Sequence, residues 1–206
     1  MIRSFGGPDR PARIAAAEAT LIRALSLAPD HALAHLYLGT VQAASNRAAQ
    51  GLAELERALQ LDRNLALAHA LIGYAKIYVG RAEDCEGHVQ EALRLSPRDV
   101  YAFAWLAIAA AAKLHVGDDE EAAQWSRRSI EANRNVPVSH LWLAAALAGL
   151  GRLDEARAAA VTGLALNPAF TLATHFRAGA PSGPPLLLAQ RERIYDLLRR
   201  AGVPEG

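Results

Sequence analysis

His31 and His35 stand four residues apart, a spacing that puts two imidazoles on one helical face and could supply half of a zinc site. Asp30 lies beside them, yet nothing nearby completes the ligand set, so packing is the preferred role. Cys85 is the only cysteine, which rules out an internal disulfide and fits a reducing compartment. A lone thiol at a small-residue position is a packing group before it is a nucleophile. The acidic run from Asp118 to Glu121 suits a helix N-terminus, where carboxylates complement the dipole, better than a metal site. The sequence contains no P-loop, GxGxxG, HExxH, GxSxG or CxxC. We therefore expect no catalytic residue, no metal ligand and no cofactor, and read the chain as a non-enzyme.

The elements that would position any site come from an internal repeat. The segments LAPD, LDRN, LSPRD, ANRNV and LNPAF punctuate the chain, with Pro29, Arg63, Pro97, Arg134 and Pro168 equivalent. They are spaced 34, 34, 37 and 34 residues apart. That period belongs to helix–turn–helix units. In the first helix of each unit a large apolar residue (Leu38, Ile72, Leu106, Leu143) precedes a small one (Gly39, Gly73, Ala107, Ala144). The second helix carries small residues at Ala17, Gly51, Cys85, Ala122 and Ala156, and again seven positions on. A seven-residue step returns to nearly the same helix face, so the two helices of a unit can approach closely as a hairpin.

With these features the sequence resembles the tetratricopeptide (TPR) family over residues 11–177. The resemblance implies an all-α, right-handed superhelix of about four full repeats, with an N-terminal half repeat and a C-terminal capping helix. Helices are expected at about 11–27, 32–45, 48–61, 66–79, 82–95, 99–114, 119–132, 137–149, 153–166, 170–177 and 186–200. Asn46, Gly80 and Gly151 fall where first helices end and suit left-handed stops. Asp30, Asn64, Asp99 and Asn135 are expected to cap the next first helices. The three-residue insertion is placed in a turn through His115 to Asp119. His35, His69 and His140 occupy the fourth position of their repeats, where the family carries a bulky aromatic, as Phe103 does here.

The ends depart from the repeat. Residues 1–10, with Gly6-Gly7-Pro8, cannot form the first helix that should precede Ala12, so they read as disordered or foreign to the fold. The orphan helix 11–27 is then a polar cap or, preferably, the edge of a piece cut from a longer protein. A Pro/Gly linker spans 178–185. Residues 186–206 form an amphipathic helix and tail with Leu187, Ile194, Leu197 and Leu198 on the buried face. A cap over the last repeat is preferred to a detachable helix occupying the groove. The segments LSPRD, RSIEANRN, LGRLDEARAA and RRAGVPEG also look like the C-terminal TPR region of bacterial class III adenylate/guanylate cyclases and of related winged-helix regulators. That likeness implies an alternative role as a regulatory or dimerising region, with catalysis in an upstream domain.

In this family the concave surface is lined by set positions of the first helices. Here those positions hold Tyr37, Tyr74, Tyr78, Tyr101, Trp105 and Trp142, with Leu33, Leu67, Leu71, Ile108 and Leu141 among them. None is charged, and tyrosine and tryptophan are strong interface anchors. The Lys, Arg and Asn clamp by which co-chaperones hold a peptide carboxylate is missing from these positions. The expected function is therefore a scaffold that binds an apolar helix or peptide of a protein partner, with a homodimer as a further arrangement. Lys plus Arg number 22 against 21 Asp plus Glu, which leaves no basic footprint for nucleic acid or a membrane surface. The N-terminus lacks the apolar core of a signal peptide, so a cytoplasmic location is expected.

Overall fold

The computed structural model describes residues 10–178 and 184–206. The leader at 1–9 and most of the expected linker lie outside the described residues. Helices run in chain order as α1 (Arg10–Leu27), α2 (Ala32–Ala43), α3 (Ala48–Leu61), α4 (Ala66–Tyr78), α5 (Cys85–Leu95), α6 (Ala102–Val116), α7 (Asp119–Ala132), α8 (Pro137–Gly149), α9 (Leu153–Leu166), α10 (Leu172–Ala178) and α11 (Pro185–Arg200). A short 3-10 turn, Ala82–Asp84, leads into α5.

Hairpins pair α2 with α3, α4 with α5, α6 with α7 and α8 with α9. The small residues set how close the partners come. A Cβ placed on Gly39 would stand 2.7 Å from the Gly51 carbonyl oxygen, and one on Gly51 would stand 2.6 Å from that of Gly39. Only a pair of glycines lets these backbones meet. Cys85 fills the same role in the next hairpin beside Gly73, wholly buried, and burial pushes its thiol up to about 12. It is a packing group with no thiolate to offer.

Successive first helices also touch: α2 with α4, α4 with α6, α6 with α8. The second helices make no comparable contact with one another, so the stack curves with first helices on its inner wall. Three buried clusters follow the stack, with Leu36, Leu55 and Ile72 in the first. Trp105, Leu106 and Trp125 belong to the second, and Leu114, Leu141 and Leu147 to the third.

The turns correct two expectations. Asn46, Gly80 and Gly151 do adopt left-handed conformations after first helices. The insertion, however, lengthens α6 by a turn to Val116, and Gly117 with φ 85° stops it. Asp118 then accepts from the Glu121 backbone N–H at 3.1 Å and starts α7. The expected caps of the first helices are not formed by Asp30, Asn64, Asp99 or Asn135. His31 caps α2 through Nδ1, while α4, α6 and α8 start without a side-chain cap. Asp62, Asp99 and Asn133 instead accept from the N–H two residues on and fold the junction turns.

Candidate functional site

The histidines resolve into structural roles. His31 Nδ1 takes the Ala34 N–H at 3.2 Å. His35 has one ring nitrogen 2.6 Å from Glu54 and the other 2.8 Å from the Pro29 carbonyl oxygen. His140 Nε2 reaches the Arg134 carbonyl oxygen at 2.9 Å, so two of the repeated histidines tie a first helix back to the preceding junction. His69 differs, meeting His88 with their Nδ1 atoms 3.3 Å apart. Among the described residues no three ligating side chains converge.

The inner wall divides in two, and α11 makes the division. This helix packs against α8 and α6, both inner-wall helices, and makes no comparable contact with α9. The apolar side chains expected to be buried are buried: Leu187, Ile194, Leu197 and Leu198 are all at most 5 % exposed. Ile194, Leu197 and Leu198 share one buried cluster with Leu141, Ala144 and Ala156 of the last repeat, while Val161 on α9 stays 67 % exposed. Arg193 donates to the Leu114 carbonyl oxygen at 3.1 Å and pairs with Asp119. Beyond α11 the chain returns to α10, where the N–H groups of Leu172 and Ala173 donate to the carbonyl oxygens of Pro204 and Glu205 at 2.9 and 2.8 Å. Those bonds satisfy donors that a helix start otherwise leaves open.

Beneath α11 lie Tyr74, Tyr78, Ile108 and Trp142, all half-buried and lining a cavity between helix and wall. The Tyr74 hydroxyl donates to that of Tyr78 at 3.0 Å, and burial and this neighbour push the Tyr78 phenol well above its ordinary range. Trp142 meets His175 edge-on with centroids 5.6 Å apart. Trp105 and Leu141 correct the sequence reading: they are 2 % and 0 % exposed and belong to the core, so they cannot face a partner. The rest of the stripe is open. Leu33, Tyr37 and Leu67 are exposed on α2 and α4, with Leu71 half-buried beside them. Tyr101 is exposed at the start of α6.

No protein-family model matches the sequence, and no curated protein matches it. Solved structures do. PilW, a widely conserved type IV pilus biogenesis factor, matches with TM-score 0.72 at 16% identity, over 91% of this chain and 84% of that one. Pseudomonas aeruginosa PilF matches with TM-score 0.69 at 18% identity, over 91% and 82%. YrrB, a TPR protein with an unusual peptide-binding site, matches with TM-score 0.58 at 19% identity, over 88% and 90%. The fold is the tetratricopeptide superhelix.

Within this superhelix the sequence reading missed the groups that α10 and α11 bring to the wall. His115, His175, Arg191 and Tyr195 line the cavity under α11. Arg191 is 7 % exposed, and its guanidinium donates to the Tyr195 hydroxyl at 3.1 Å. Burial and then the charge of Arg191 hold His175 at about 4. His115 is held at about 4 by burial, with Arg191 adding to the effect and Gln190 opposing it. The only signal available was spacing: Arg191 and Tyr195 fall on the same stripe of α11 as Leu187, Ile194 and Leu198.

Proposed function

We propose that this chain is a protein-binding scaffold whose uncovered inner wall takes an amphipathic helix of a partner. The observation that carries the reading is α11, an amphipathic helix of the chain's own, seated on that wall two units further along. It supplies a worked case of what the wall accepts: large aliphatic groups against first-helix faces, with Glu192, Asp196, Arg199 and Arg200 turned outward and Arg191 buried beside them. The open half repeats the same chemistry. Leu33 and Tyr37 lie one turn apart on α2, as do Leu67 and Leu71 on α4, and the line continues into Tyr74 and Tyr78 under α11. An exposed apolar stripe next to an occupied one is the kind of surface that marks interaction sites. The peptide-binding site for which YrrB is known supports the reading from a protein of the same fold.

The test uses a partner purified with the intact chain and titrated against variants. The double variant Tyr37→Ala, Leu67→Ala should weaken binding by at least about tenfold, as loss of two interface anchors does. Val161→Ala, on the outside of α9, should leave binding unchanged. Equal affinity of the inner-wall variant and the wild type would overturn the proposal.

A further inference from the structure

His69 on α4 and His88 on α5 stand in a place that the preceding hairpin fills differently. There the first-helix histidine, His35, meets the carboxylate of Glu54, 19 residues further on. In the next hairpin the same 19-residue step brings two imidazoles together, Nδ1 to Nδ1 at 3.3 Å. Two electron-pair donors stand where an ion pair stands one repeat earlier.

Two neutral imidazoles can share one proton, but 3.3 Å is loose for such a bond, whose ordinary limit is about 3.2 Å. The distance fits a shared ion better. Zinc holds imidazole nitrogen at about 2.0–2.1 Å with tetrahedral geometry, so two nitrogens on one ion lie about 3.3–3.4 Å apart. At the right angles of a square-planar or octahedral ion the same bond lengths give about 2.9 Å. An ion bonded to both nitrogens sits about 1.2 Å to one side of the line between them. Each ring can turn towards it about χ2, a torsion with a broad well, because both histidines are only half-buried. The ring centroids are 5.5 Å apart with planes tilted by 38°, so nitrogens rather than faces meet.

The surroundings keep these donors available. A zinc ligand must be unprotonated imidazole. Burial, and then the neighbouring His69, lowers the pKa of His88; Lys76 adds to the effect, while Asp84 and Glu56 oppose it. We propose that His69 and His88 form a bidentate zinc site that ties α4 to α5, with water at the two remaining positions of the tetrahedron. Two protein ligands hold zinc less tightly than the three or four of dedicated sites, so the ion is an exchangeable one. The site draws on neither the inner-wall stripe nor α11 and is independent of partner binding.

Zinc chloride titrated calorimetrically into the full chain, untagged and stripped of metal with EDTA, tests this. One zinc should bind per chain, and the melting temperature should rise with zinc concentration. Cobalt(II) in place of zinc should give the strong visible absorption of a tetrahedral ion, which a cation gathered loosely by surface carboxylates does not show. His69→Ala and His88→Ala should each weaken zinc binding at least about tenfold and remove the cobalt signal. His35→Ala should leave both as in the wild type. Should an alanine variant fail to fold, His69→Gln or His88→Gln keeps the bulk and polarity and makes the same comparison. The proposal falls if zinc does not bind at millimolar concentration, if bound cobalt is octahedral, or if the His69 and His88 variants bind as the wild type does.

Discussion

At the scale of single residues, one aromatic stripe serves two purposes. Trp105 and Tyr37 occupy similar register positions in different repeats, yet one is 2 % exposed and the other 52 %. What separates them is the neighbourhood. Trp105 shares a core cluster with Ile77, Trp125 and Leu187, so helices close over it from several sides. Tyr37 sits on α2, where α11 does not reach. Trp105→Ala should therefore cost about 3–5 kcal/mol in denaturant unfolding, whereas Tyr37→Ala should stay within about 0.5 kcal/mol. A Tyr37 variant as unstable as the Trp105 variant would show that its ring is structural. The register told both residues apart from the polar face, but not from each other, because helix periodicity fixes direction and says nothing of what lies in that direction.

At the scale of elements, the 34-residue punctuation located the helices closely, because each junction repeats the same physical events: a stop, a turn and a restart. Two things were not legible. The extra residues after Ala112 were free to extend α6, since Lys113, Leu114 and His115 continue a helix as readily as a turn. The docking place of α11 was hidden because an amphipathic helix declares a buried face without naming the surface that buries it. Ile194 is 4 % exposed at this interface, and Ile194→Asp would bring an unpaired carboxylate into it. Undocked α11 should then be cut by trypsin after Arg191 at least about ten times faster, with little loss of helicity. An unchanged cleavage rate would mean that α11 is held chiefly by Arg193 and the tail.

At the scale of the whole molecule, acid sensitivity is concentrated in the covered half. His115 and His175 sit at about 4 in the folded chain against an ordinary 6.5, and burial lowers His88 as well. Between those values the unfolded chain binds protons that the folded chain refuses, so stability is full above 6.5 and falls as the pH drops towards 4. From pH 7 to about pH 5 the loss should be at most about 2 kcal/mol for each of the two imidazoles facing Arg191. Urea unfolding at both pH values measures it, and His175→Phe should flatten the slope; an identical slope would place the acid sensitivity elsewhere.

The Arg193 bond to Leu114 joins residues 79 positions apart, in a molecule whose other units mainly touch their sequence neighbours. During synthesis the early hairpins can settle as soon as each has emerged, since each needs only what precedes or immediately follows it. The later repeats cannot finish in that order. Their wall stays bare until α11 has been made and has come back across it, which leaves a newly made chain exposing its oiliest surface during its final steps, when a chaperone would find the most to hold.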